Sequence, residues 1–196
     1  MINILLSRKV ATNQSKMKEI HVDDEILLKE ISLASSQLIF DSIDRSRKHL
    51  GEWLPFVETT KSVDDTRNFI HSVLNQDCAK SDVIFEIWHL HKFAGLIGFK
   101  EIDNSNKKTE IGYWIDAAMT GKGIMHKACK SMISYAFHHL KLNRVMIKVA
   151  VENTKSKNIP ISLGFTLEGV ERDGELIHDR FHDLAVFSLL KYDWKI

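Results

Sequence analysis

The 196-residue sequence predicts an α/β (α+β) protein with a mostly antiparallel sheet. Three observations predict it. Three β-rich runs at 82–90, 93–102 and 109–116 follow one another across short polar turns, as in an antiparallel meander. A long apolar stripe at helical spacing comes next, from Ile124 to Leu140. A strand, a shorter helix and two last strands then complete the chain, an order that lays helices against a sheet.

From the start of the chain, residues 1–16 read as an extra strand or a loose arm, and Met17 opens a clearer element. "KEIHVDDEILLKEIS" holds two apolar runs around Asp23-Asp24, a hairpin signal. Leu33, Leu38, Ile39, Ile43 and Leu50 recur at roughly helical spacing, so one helix is expected over 33–50, with Gly51 as its punctuation. Pro55 in "EWLPFVETT" marks a break. Ser62 is placed to cap a helix through Leu74, with Asp64 and Asp65 in the first turn, where the helix dipole favours acids. After the meander, Ile124, Met125, Ala128, Cys129, Met132, Ile133, Ala136, Phe137 and Leu140 form one apolar helix face. "NRVMIKVAV" is a strand, "NTKSKNIPISLG" a helix ended by Gly164, and the chain closes as a hairpin. No repeat, low-complexity tract or linker interrupts it. A single domain is expected over 1–196, with 1–16 as an N-terminal extension.

Composition narrows the function classes. The chain is 44% hydrophobic and 27% charged, the balance of an ordinary globular protein. A formal net charge of +1 gives no global field for nucleic acid or an anionic membrane. Two cysteines, Cys78 and Cys129, are too few for a disulfide framework or a thiolate metal site. No apolar run approaches the roughly 20 residues of a membrane span. "MINILLSRKV" is apolar and then basic, the reverse of a signal peptide, so a cytoplasmic protein is expected.

The most informative stretch is "YWIDAAMTGKGIMHKA", which brings Gly121 and Gly123 around Lys122 where the long helix begins. Glycines at a helix start let backbone N–H groups approach a ligand, and those of the first turn have no partner within the helix. The dipole adds positive potential there, so pyrophosphate fits, with Lys122 as an added cation. Plain chain reversal is the alternative. The pattern is neither a P-loop nor the dinucleotide fingerprint.

The order "EIGYWI", "GKGIM", "NRVMIKV", "VENTKS" and "LGF" sharpens this. Together with "HLGEWLPFV" and "HDLAVFSLLKYDW" it resembles the GNAT acetyltransferases, over roughly Lys18 to Trp194. The branch it resembles acetylates protein N-termini and is named for the ribosomal-protein-serine acetyltransferase. The resemblance implies a twisted mixed sheet with two splayed central strands, here 109–116 and 144–150, and acetyl-CoA in the cleft between them. It implies pairing of the pantetheine arm with backbone near Trp114 and Ile115. The pyrophosphate would sit on the N–H groups of residues 121–126. Of the family pattern Gln/Arg-x-x-Gly-x-Gly/Ala, the stretch Thr120-Gly121-Lys122-Gly123-Ile124-Met125 keeps only Gly123. His126, in the same first turn, is a further candidate for the phosphates. Asn153 and Ser156 match the Asn-x-x-Ser of the branch, whose asparagine contacts the cofactor and whose serine lies near the thioester sulfur. Glu52, Trp53 and Pro55 lie where the branch places its acceptor-facing helices. The resemblance also allows a homodimer, since family members often pair.

Acyl transfer to an amine needs the amine neutral, the carbonyl polarised and the leaving thiolate stabilised. Near pH 7.5 an α-amine of pKa about 7.7–8.0 loses its proton for well under ~1 kcal/mol, whereas a lysine near 10.4 needs roughly 4 kcal/mol. A modest base therefore suffices for an N-terminal acetylase. Ser156 is the candidate for meeting the departing sulfur, and Glu101 and Glu110 are the candidate bases. A local helix cap and solvated strand-end carboxylates are the respective alternatives. Tyr113 and Trp114 read as cleft lining or as sheet packing. The ten histidines include no His-Glu-x-x-His, and "HDRFH" places His178 and His182 in a hairpin, so no metal is expected.

The leading expectation is an acetyl-CoA-dependent N-acetyltransferase acting on a protein α-amine, a ribosomal one included, by direct attack in a ternary complex. One alternative is the same chemistry on a polyamine, amino acid or aminoglycoside. Another is a non-catalytic CoA-binding regulatory module, which Thr120 in place of Gln/Arg leaves open. Neither nucleic acid nor membrane is an expected partner.

Overall fold

The computed structural model describes residues 18–75 and 82–195. The expected extension at 1–16 and Cys78 lie outside them. Strands β1 (Glu19–His21) and β2 (Ile26–Glu30) form the expected hairpin. Its turn is held by the Asp23 carboxylate, which accepts the Glu25 and Ile26 N–H groups at 2.9 and 2.8 Å. Strands β3 (Val83–His89), β4 (Lys92–Asp103) and β5 (Lys108–Ile115) make the meander. Strand β6 (Arg144–Ala150) follows a crossover, and β7 (Thr166–Ile177) and β8 (Arg180–Leu190) are the closing hairpin. The eight strands lie in the order β1-β2-β3-β4-β5-β6-β8-β7, and every pairing but β5–β6 is antiparallel.

Between β2 and β3 the chain makes α1 (Ser36–Arg45), α2 (Arg47–Gly51), α3 (Phe56–Thr59) and α4 (Val63–Leu74). The single helix expected over 33–50 is therefore three pieces, a 3-10 turn at Leu33–Ser35, then α1 and α2. The break falls at Ser46, whose φ of −106° and ψ of 9° leave the α ladder. There its buried hydroxyl accepts the Ala117 N–H at 3.2 Å, a tertiary contact that apolar spacing does not encode. α4 starts as expected, in a capping box between Ser62 and Asp65.

The crossover from β5 to β6 runs through α5 (Ile124–His138), which buries eight of the nine residues of the expected face. Full burial of each larger side chain there contributes roughly 1.5–3 kcal/mol. These side chains pack with Phe85, Ile97, Phe99 and Ile111 on one side of the sheet. On the other side Ile39, Ile43, Leu50 and Ile70 of the first helices pack with Phe93, Leu96 and Trp114. The alternation of β5 explains the division, since Ile111 and Trp114 occupy odd and even positions and face opposite cores. The last helix, α6 (Thr154–Ser162), connects β6 to β7, and Gly164 beyond it adopts φ +80°.

Candidate active site

β5 and β6 pair only through Lys108↔Arg144, Thr109↔Val145 and Glu110↔Met146. β5 then continues to Ile115 against β4, while β6 continues to Ala150 against β8. Two neighbouring strands that keep only their outer partners must diverge. The result is a cleft of about 1530 Å³ lined from both lips. The Asp116 N–H donates to the Ala94 carbonyl of β4, so by strand alternation the polar backbone of residue 114 also faces β4. That of Tyr113 and Ile115 faces the gap. Of the two backbone positions expected to meet a pantetheine arm, Ile115 is thus turned toward the cleft and Trp114 away from it.

At one end of the cleft the chain turns from β5 into α5. Gly121 and Gly123 adopt φ +76° and +73°, the left-handed region. A Cβ built on either meets nothing within 4 Å, so the loop borders open space. α4 and α6 are capped by the side chains of Ser62 and Asn153, but no side chain caps α5, whose N-cap is Gly123. Residues 121–126 line the cleft, and first-turn donors without a side-chain cap suit a pyrophosphate there. Ile124 and Met125 are buried, so they have only backbone to offer. The Thr120 hydroxyl donates to the Ala117 carbonyl at 2.9 Å and closes its own turn. Lys122 is exposed, with its ammonium 3.6 Å from the Met119 sulfur, and His126 lines the same space.

After β6, the Asn153 side-chain oxygen accepts the Ser156 N–H at 3.1 Å and starts α6. The Ser156 hydroxyl lies 3.1 Å from that of Tyr113, and both residues line the cleft.

The carboxylates gather elsewhere along the cleft. Glu110 stands at the last β5–β6 pair and meets the Lys100 ammonium at 3.3 Å. Glu101 occupies a β4 irregularity with φ +47°, its N–H donated to Asp82 at 2.9 Å. Both are surface-accessible, paired or in a bulge. The acid that sequence reasoning missed is Glu175 on β7. Burial pushes its carboxyl above the usual range, Lys100 opposes that, and Glu110 adds to it. Glu175 lines the cleft with Glu101 and Glu110. Nothing in "ERDGELIHD" marks it over its acidic neighbours.

Glu52, Trp53 and Pro55, which the resemblance places toward an acceptor, line the cleft beside Phe56 and Phe69. His178 presents one ring nitrogen to the Glu58 carboxylate and the other to the Gly51 carbonyl at 2.7 Å. The His182 ring packs edge-on to Trp53, with centroids 6.3 Å apart. Among the described residues no three His, Cys, Asp or Glu side chains gather as a metal site. Cys129 is fully buried and burial pushes its thiol up, so it is inert as a nucleophile.

A helix-crossed split between parallel strands, closed at one end by an uncapped glycine turn, defines an acyl-CoA-dependent acetyltransferase of the GNAT class. Residues 26–166 match the family model described as "Acetyltransferase (GNAT) domain", and the chain belongs to that family. It is an acetyl-CoA-dependent N-acetyltransferase. It is 37% identical over 176 residues to the "Putative ribosomal N-acetyltransferase YdaF" of Bacillus subtilis, covering 89% of this chain and 96% of that one. To the ribosomal-protein-serine acetyltransferase of Escherichia coli it is 26% identical, covering 86% and 94% of the two chains. The crystal structure of the microcin C7 self-immunity acetyltransferase MccE with acetyl-CoA and AMP superposes with a TM-score of 0.80. That chain is 30% identical, with 86% of this chain and 94% of that one covered. Among the described residues no helix is long and apolar enough to cross a membrane.

Proposed function

We propose that this enzyme acetylates the N-terminal α-amine of a protein, a ribosomal protein being the acceptor class, by direct attack within a ternary complex. The observation that carries this is the continuity of the cleft. The glycine turn at 121–123, Ser156, Glu175 and the acceptor wall of Trp53 and Phe56 all border one space. The names of two relatives that align over nearly their whole length supply the acceptor class.

Each residue then has one task. The N–H groups of 121–126 hold the pyrophosphate, and Ile115 offers its backbone to the pantetheine arm. Glu175, made more basic by burial, takes through a water the proton that the amine sheds as its nitrogen bonds to the acetyl carbon. Glu110 and Glu101 contribute field around it. Ser156 hydrogen-bonds to the sulfur as the C–S bond breaks, and the thiolate then takes its proton from solvent. Asn153 fixes the turn that carries Ser156. Buried Cys129 leaves no acyl-enzyme to form at that thiol.

A second acceptor class has its own support. Glu52, Glu101, Glu110, Glu152 and Glu175 all line the cleft, which favours a polyamine. A mass-spectrometric panel separates the two. It contains peptides beginning with Ser, Ala, Thr and Met, Nα-blocked lysine peptides, spermidine and an aminoglycoside. Acetyl on free peptide N-termini is the expected result. Acetyl confined to spermidine or the aminoglycoside overturns the protein acceptor and keeps the cleft chemistry.

A further inference from the structure

Three features converge on Ser156. Its N–H is taken by Asn153, as described. Its carbonyl would ordinarily accept the N–H of the residue four positions on, but that residue is Pro160, inside α6, which has none. The missing donor is replaced from another element. The Tyr113 hydroxyl reaches from β5 across the gap and donates to the Ser156 carbonyl at 3.2 Å. The same phenolic oxygen lies 3.1 Å from the Ser156 hydroxyl. Burial, foremost, raises the Tyr113 pKa, so the phenol keeps its proton.

We propose that Tyr113 is the positioning residue for Ser156, engaged through the carbonyl that Pro160 leaves free. This rests on the assignment of Ser156 to the departing sulfur made above. Two hydroxyl protons serve three oxygens. In the resting arrangement Ser156 donates to Tyr113 and Tyr113 donates to the Ser156 carbonyl. Rotating both O–H bonds, with no proton changing oxygen, turns the Tyr113 proton onto the Ser156 Oγ and frees the Ser156 proton for the cleft. A hydroxyl that accepts while it donates makes the stronger outgoing bond. A serine without that partner turns among staggered rotamers and bonds its own helix backbone instead.

The test compares the wild type with Tyr113→Phe, Ser156→Ala, their double variant, and Tyr113→Phe combined with Pro160→Ala. Turnover is measured with acetyl-CoA and a Ser-initiated peptide. The binding preference for CoA over desulfo-CoA gives a readout that needs no acceptor. Tyr113→Phe is expected to lower kcat about 3- to 10-fold, the scale of one hydrogen bond, and to narrow the preference for the thiol. Affinity for acetyl-CoA should stay unchanged, and the substitution should add no loss to Ser156→Ala. Pro160→Ala returns a helical donor to the Ser156 carbonyl but none to its hydroxyl, so it should not rescue Tyr113→Phe. Rescue, multiplicative losses, or an unchanged kcat in Tyr113→Phe while Ser156→Ala is impaired each overturn the role of Tyr113. If Ser156→Ala itself is fully active with an unchanged thiol preference, the assignment of Ser156 fails, and the positioning role falls with it.

Discussion

The Asp116 carboxylate accepts from the Arg45 guanidinium at 2.7 Å, tying the end of α1 to the point where the chain leaves β5 for the glycine turn. Asp116 is almost wholly buried and also accepts from Ser42 at 2.7 Å and from the Ala118 N–H at 2.9 Å. Helix α1 and the turn that leads to Gly121 and Gly123 therefore share one carboxylate.

Asp116→Ala leaves the buried Ser42 hydroxyl without its acceptor, and the loss expected is about 2 kcal/mol, the scale of hydrogen bonds to a charged group. Urea denaturation measures it. Burial acts to raise the Asp116 pKa, but the bonds from Ser42, Ala118 and Arg45 outweigh it, and the net value is lowered. A depressed carboxyl stabilises the fold above its unfolded value and loses that contribution as pH falls through the folded one. The gap between wild type and variant should thus close in acid. A gap that is constant down to pH 2 would show that Asp116 acts by packing alone.

Gly123→Glu puts a side chain into the open space beside the uncapped donors of α5 and imposes the left-handed strain of about 1–2 kcal/mol on a residue with a Cβ. Affinity for acetyl-CoA should fall by about 100-fold or more as the carboxylate replaces the pyrophosphate at those donors. Acetyl-pantetheine lacks the pyrophosphate and should be used as before. Equal losses with both donors would mean that the turn supports the whole cleft rather than the phosphates.

Glu175→Gln removes the proposed base while keeping its shape. Turnover should drop by about 100-fold or more, the scale of general-base catalysis, with little change in acetyl-CoA affinity. Because burial raises this carboxyl, its neutral form is the one the fold prefers. That preference is fully present below the unfolded pKa of about 4.3 and is lost as pH rises through the folded value. Glu175→Gln should therefore melt above the wild type at pH 8 and level with it at pH 4. Equal Tm differences at the two pH values would refute the burial effect.

His178 faces two acceptors, Glu58 and the Gly51 carbonyl, and only the imidazolium can donate to both. The hydrogen bond to Glu58 is the main cause of its raised pKa. The contribution to stability is present below about pH 6.5, the ordinary histidine value, and fades as pH rises through the raised one. His178→Ala should lower Tm at pH 6 and leave it unchanged at pH 9. Activity that collapses with chelators in the wild type, and is already absent in His178→Ala, would instead assign the histidine to a metal.

What lay open in the sequence was whatever neighbours along the chain decide. The α5 stripe, the Ser62 capping box, the Asp23 turn and the paired glycines at 121 and 123 are set by residues a few positions apart, so spacing alone displayed them. The resemblance carried by the order of the motifs around those glycines implied the cleft between β5 and β6, and the proposal that acetyl-CoA lies there rests on it. Tertiary structure alone decided the rest. Ser46 bends the helix expected over 33–50 because of Ala117, 71 residues away, and Tyr113 reaches Ser156 across 43. Glu175 differs from the acids beside it only in what the folded sheet packs around it. Charge, burial and hydroxyl partners belong to pairs of residues that the chain brings together only when it returns on itself, and a local pattern carries no record of them.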